Sequence, residues 1–108
     1  MSFGSQTHRP IAQLKSANNI KITNLPLPTS GVEVAHALQN NVKHLLIKVQ
    51  NKNNAQLQYA FIVNESGTNY ITLEANCFKT FELIDLVGKT IYLQSDKDST
   101  IVEIEELY

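Results

Sequence analysis

The chain has 108 residues, 43% of them hydrophobic and 18% charged, with a formal net charge of −1. That length fits one domain, able to bury roughly 60–70% of its unfolded surface without metal or disulfide staples. Near-neutral charge argues against a nucleic-acid binder, whose binding face is normally basic. The single cysteine excludes an intrachain disulfide framework, and no apolar run reaches membrane-spanning length.

Residues 1–19 are polar, contain Gly4 and Pro10, and show no sustained period. They read as a flexible N-terminal arm without the apolar stretch of a signal peptide, and Ile11 to Leu14 is its one adhesive spot. From Ile20 onward the apolar period is two, the signature of half-buried strands. Ile20, Ile22 and the residues to Pro28 predict a first strand, and Pro26 and Pro28 place it at a sheet edge or in a connection. Val32, Val34, His36 and Leu38 predict a second strand facing the core, stopped by Asn40-Asn41. Leu45, Ile47 and Val49 predict a third, followed by an Asn51–Asn54 turn, since asparagine tolerates left-handed backbone.

A fourth strand is expected with Leu57, Tyr59, Phe61 and Val63 on one side, and Glu65-Ser66-Gly67-Thr68 turning the chain after it. Tyr70 to Ala75 continues the alternation through Ile71 and Leu73. Asn76-Cys77-Phe78 reads as a strand edge with Cys77 a buried, inert thiol. From Phe78 to Leu86, Phe81 and Leu83 fit a strand, whereas Leu83, Leu86 and Val87 also suit one helical turn. Ile91 and Leu93 predict the next strand. Asp96-Lys97-Asp98-Ser99 reads as a turn, and Ile101 to Leu107 as the last strand, with Glu103 and Glu105 on its solvent side. Short strands spaced eight to twelve residues apart predict an all-β fold, a small antiparallel β-sandwich over residues 20–108. Strand pattern does not give strand order, so jelly-roll and immunoglobulin-like arrangements both stand.

No catalytic constellation emerges. A nucleophile needs a base and an orienting group, but His8 lies in the arm, His36 sits on an apolar register, and His44 precedes a core run. No second Cys and no spaced carboxylate joins the histidines into a metal site. The acids fall in turns or on alternating exposed positions. Asp96-Lys97-Asp98 lacks the glycine and distal glutamate of a calcium loop, and the four glycines form no phosphate loop. The expectation is a non-enzymatic protein with no metal and no cofactor. Tyr70 and Tyr92 fall out of phase with the core residues beside them. They read as an interface or carbohydrate platform, or as a cross-strand aromatic pair that pins register.

Eleven Asn and seven Gln fill the polar positions. Biased base composition produces such usage, and so does a surface pressed against other protein, because desolvating an amide costs less than desolvating an ion. Charge is uneven along the chain. Residues 1–64 hold six Lys/Arg and one Glu, while residues 65–108 hold three Lys and nine Asp/Glu. If the fold keeps these apart, head-to-tail self-association follows.

From Leu25 to Tyr108 the order of segments resembles small β-sandwich virion proteins of tailed bacteriophages. The likeness lies in Leu25-Pro26-Leu27-Pro28, the apolar strand His44–Gln50, and Gln56–Val63 with its central aromatic. It continues in Tyr70-Ile71-Thr72-Leu73, Thr90–Ser95 and Val102–Glu106. The chain has Asn76 where such proteins often have glycine, and asparagine reaches the same left-handed turn. The resemblance implies a structural virion protein made in the host cytoplasm, a decoration, cement, neck or tail accessory. It would bind the major capsid protein, other virion proteins or its own copies as an oligomer, with no nucleic acid, membrane or small-molecule partner. Tyr70 and Tyr92, with Ile11 and Leu14 of the arm, are the interface residues this reading selects. The alternative is a carbohydrate- or ligand-binding sandwich, against which the absence of Trp counts.

Overall fold

The computed structural model describes residues 19–50, 53–82 and 88–108. Ile11, Leu14, His8, Asn51, Lys52 and the stretch 83–87, where strand and helical turn both stood, lie outside the described residues. Eight strands are seen among those described: β1 (Ile20–Leu27), β2 (Val34–Ala37), β3 (His44–Val49), β4 (Leu57–Ala60), β5 (Ile71–Leu73), β6 (Phe78–Glu82), β7 (Thr90–Ser95) and β8 (Thr100–Leu107). They form two four-stranded sheets, ordered β1-β8-β3-β6 and β2-β7-β4-β5, and every pairing is antiparallel. The chain changes sheet at nearly every connection, and each sheet takes one strand from each of the consecutive pairs β1/β2, β3/β4, β5/β6 and β7/β8. This is the double-sheet, eight-stranded jelly roll, not the immunoglobulin sandwich.

Alternation explains how the two sheets meet. Leu27, Leu45, Ile47, Val49, Val102 and Ile104 point inward from the first sheet and are buried, as are Leu57, Tyr59, Leu73, Ile91 and Leu93 from the second. Between them they form one apolar layer, and Glu103 and Glu105 fall on the outer face, as the period predicts. Strand β1 pairs with β8 alone, so Pro26 sits on an edge strand, where its missing N–H is tolerated. Asn19 extends that ladder by one pair, exchanging backbone hydrogen bonds with Tyr108 at 2.7 and 2.9 Å.

The turns are built on asparagine. Asn41, Asn54, Asn64 and Asn76 all hold positive φ, between 57° and 68°. Asn76 adopts the left-handed turn expected of it. Cys77, expected buried, is instead exposed. It lies in the tight turn between β5 and β6, where its N–H bonds Glu74 O at 3.1 Å, so the chain is reversing and no sheet covers the thiol. At one end of the sandwich the acids of the β7–β8 turn stitch neighbouring loops together. Asp96 accepts the Gln56 N–H and Asp98 the Ser30 N–H, each at 2.7 Å. Ser95 and Thr100 close the same turn beneath, with their hydroxyls 2.7 Å apart.

One inward position of β8 breaks the apolar rule. Glu106 follows Val102 and Ile104 on the buried face and is wholly buried. Its Oε1 accepts the Gln39 N–H at 2.7 Å and its Oε2 accepts from His36 Nε2 at 3.0 Å. His36 points inward from β2, so the contact ties one sheet to the other. A buried carboxylate without partners is costly, and losing one partner is more destabilising than never having had the pair. Replacing His36 by Ala is expected to lower unfolding free energy by on the order of 3 kcal/mol. Glu106→Gln keeps an acceptor for Gln39 and is expected to cost about 1 kcal/mol. Urea unfolding of both variants checks the order, and equal losses contradict it.

Candidate functional site

The apolar layer is incomplete along one margin, where β4 and β5 of the second sheet approach β6 of the first. Tyr59 on β4, Phe61 just beyond it and Phe81 on β6 meet there as three mutually edge-on rings. Their centroids lie 6.3, 6.0 and 5.7 Å apart, with planes within 6° of perpendicular. Edge-to-face contact sets the positive ring edge on the negative ring face and adds about 0.5–1.5 kcal/mol per pair beyond burial. Lys79 extends over Phe81, its Nζ 5.5 Å from the ring centroid, a cation–π placement. Burial pushes the Tyr59 phenol pKa above its ordinary value.

These rings floor an open groove of about 550 Å³. Its rim is formed by Ile62, Glu65, Asn69, Tyr70 and Ile71. Ile62 and Ile71 are each 59% exposed, and Tyr70 is 40% exposed. The groove is therefore aromatic below and aliphatic at the lip, with one cation and one carboxylate at its margin.

Local geometry explains why this rim stands open. Strand β4 was expected to run to Val63 with Phe61 and Val63 on the core side, but it ends at Ala60, and Val63 is exposed. The chain turns there because Glu33 gathers the loop. Its Oε2 accepts the Asn64 N–H at 2.8 Å, and its Oε1 accepts both the Ser66 N–H at 3.1 Å and the Ser66 hydroxyl. Asn64 supplies the left-handed residue the turn needs. Ile71 keeps its inward register opposite Tyr59, yet at the sandwich margin no strand of the other sheet covers it. Val32, also expected to face the core, is exposed because β2 begins only at Val34.

Of the four interface residues selected from sequence, Tyr70 lies on the groove rim. Tyr92 does not line the groove. It stands on the outer face of the second sheet, opposite Ala35 on β2 and Ala60 on β4. Tyr70 precedes β5 on the far side of β4, so the two tyrosines are separated by a strand and form no cross-strand pair. Ile11 and Leu14 lie outside the described residues. Phe61, Phe81, Ile62, Ile71 and Lys79 were not singled out from sequence. Their only advance signal is the spacing Tyr59-x-Phe61 together with Phe81, since exposure at a margin leaves no mark in a period-two pattern.

His36 pairs with Glu106 inside the sandwich, while His44 is buried between Leu107 and Glu82 on the first sheet. Neither His44 ring nitrogen has a hydrogen-bond partner among the described residues. No group of three or more His, Cys, Asp or Glu is placed to hold a metal ion among the described residues.

Glu33 gives the site a measurable pH dependence. Desolvation raises its pKa, but the Ser66 hydroxyl and the Asn64 and Ser66 amides outweigh it and hold the carboxyl below its ordinary 4.5. A depressed carboxyl pKa contributes stability that is fully present above the unfolded value and lost as pH falls through the folded one. The Asn64 and Ser66 amide resonances are expected to titrate with a midpoint below 4.5, and Glu33→Gln to abolish that titration. A midpoint at or above 4.5 contradicts the capping role. Compared with known proteins, the chain matches no family model and no curated protein, so the chemistry of the groove is read from its own geometry.

Proposed function

We propose that this chain is a non-enzymatic protein-binding domain of a bacteriophage virion, and that it docks on the major capsid protein through the aromatic groove. The observation that carries the protein-binding part is the exposed lip of Ile62, Tyr70 and Ile71 around a floor of three interlocked rings. A monomer gains nothing from leaving two isoleucines and a tyrosine in water around a concavity, whereas a partner that fills it recovers their burial. The virion setting rests on the segment order from Leu25 to Tyr108 and on the jelly-roll strand order. That architecture recurs in viral capsid and lectin domains, a likeness at the level of fold alone. Accumulation in the host cytoplasm before assembly follows from the same proposal.

A second reading has its own observation. A groove of about 550 Å³ lies inside the roughly 300–1,000 Å³ range of small-molecule sites, and a sugar ring would stack on its aromatic walls. The two readings separate in one experiment. Purified virus particles from the source are examined by mass spectrometry for this chain, and the purified protein is applied to a glycan array. High stoichiometry to the capsid protein supports the first reading, and presence only in the soluble lysate with glycan binding supports the second. For the docking surface, Ile71→Asp is expected to weaken capsid binding about 10–100-fold while leaving the unfolding midpoint within error, since Ile71 is already exposed. Unchanged binding in both Ile71→Asp and Ile62→Asp contradicts the groove as the docking site.

A further inference from the structure

A second surface, the outer face of the first sheet, is covered by no other strand among the described residues. Register places Ile22, Glu105, Leu46 and Thr80 in one row across β1, β8, β3 and β6, with Asn24, Glu103, Lys48 and Phe78 in the next. Ile20, Ile22 and Phe78 there are 68%, 66% and 62% exposed. Between β1, β8 and β3 lies a concavity of about 290 Å³, lined by Ile22, Asn24, Leu46, Glu103, Ile104 and Glu105. Its base is aliphatic and its rim carries two carboxylates. Glu103 accepts from Gln50 Nε2 at 2.9 Å, and Glu105 has no hydrogen-bond partner among the described residues. Among the described residues of this face, Glu82, Glu103 and Glu105 stand against Lys48 and the buried His44.

Such a surface fits a segment with branched aliphatic residues between cations. The chain contains one: Arg9-Pro10-Ile11-Ala12-Gln13-Leu14-Lys15, in a stretch, residues 1–19, that holds two cations and no acid. The attachment point is also right. Asn19 is pinned to Tyr108 at the corner of this same face. From there the concavity lies about two residues along β1 and within two strand spacings, on the order of 12 Å. Five residues from Leu14 to Asn19 reach about 17 Å when extended. A tether this short holds the segment at a local concentration of about millimolar, which favours the chain's own segment over that of a neighbour.

We infer that the outer face of the β1-β8-β3-β6 sheet is a binding surface for basic, aliphatic peptide, and that its occupant is this chain's own Arg9–Lys15. Leu14 enters the concavity against Ile22 and Leu46, while Arg9 and Lys15 flank it against Glu103 and Glu105. Pro10 suits the pose, because it favours extended backbone on either side of the aliphatic pair. This surface lies on the opposite sheet from the tyrosine face and does not share the groove, so the inference stands independently of the virion reading.

The test uses the full-length chain labelled with ¹⁵N. Backbone order parameters for residues 9–15 are expected near the rigid value of about 0.8 and independent of protein concentration, against less than about 0.6 for a free tail. Arg9→Glu/Lys15→Glu is expected to drop them below about 0.6 and to shift the amides of Ile22, Leu46 and Glu105. Adding Glu103→Lys/Glu105→Lys to that variant restores both readouts by reversing every charge at the contact. The arm substitutions leave the core untouched, so the result survives even if the glutamate pair alone disturbs folding. Values below about 0.6 in the unmodified chain overturn the inference. Rigidity that appears only as concentration rises assigns the surface to a neighbour's segment and overturns it as well.

Discussion

Everything in this fold depends on one apolar layer, a single side chain deep from each sheet, squeezed between two four-stranded sheets. Every strand serves that layer by alternation, which is why residues two apart on β3, β7 and β8 are buried while their neighbours face outward. A layer of this kind must end somewhere, and its two ends are finished differently. At one, Asp96 and Asp98 tie loops to loops through backbone N–H groups. Along the margin beside β6, the layer runs out into half-covered rings, and the groove is the place where it stops.

The buried Glu106 has to be read against the same constraint. A carboxylate in an otherwise aliphatic row weakens the hydrophobic argument for β8, yet it has two partners drawn from β2 and the residues after it. An apolar residue there would stick the sheets together without fixing how β2 lies. A carboxylate satisfied by one imidazole and one N–H accepts a narrow set of positions, so the contact specifies alignment as well as contributing energy. Glu33 works in a similar way at the surface, taking up the N–H groups of a loop that has no ladder to bond to.

How far the sequence spoke for this structure follows from the same physics. Leu45, Ile47, Val49, Ile91, Leu93, Val102 and Ile104 announced their burial because a strand interior obeys a strict period of two. Pro26 announced an edge, and the asparagines announced turns. Position at a margin was invisible: Ile71 and Phe61 carry the same letters as core residues and differ only in what stands opposite them. Glu106 was hidden for the converse reason, since a glutamate next to Glu105 in a terminal strand looks like solvent-facing charge until the register assigns the two to opposite faces. Cys77 misled because a thiol leading into Phe78 resembles a strand edge, and only the left-handed Asn76 before it marks the reversal. Strand order, which separated jelly roll from immunoglobulin-like sandwich, is a property of long-range pairing that no local pattern contains. The candidate groove was therefore legible only through Tyr70, one residue of its rim.

The left-handed asparagines carry a consequence for the chain before it folds. Glycine would satisfy the same φ at positions 41, 54, 64 and 76, but it would enlarge the denatured ensemble at each of them, because a residue without Cβ samples both halves of φ space freely. Asparagine reaches the left-handed region with its side chain still narrowing the alternatives. Four such positions between consecutive strands shrink the conformational search at the hinges where a jelly roll, rich in distant pairings, is slowest to close. The amide-rich composition thus serves the kinetics of reaching the native pairing as well as the shape of the finished turns.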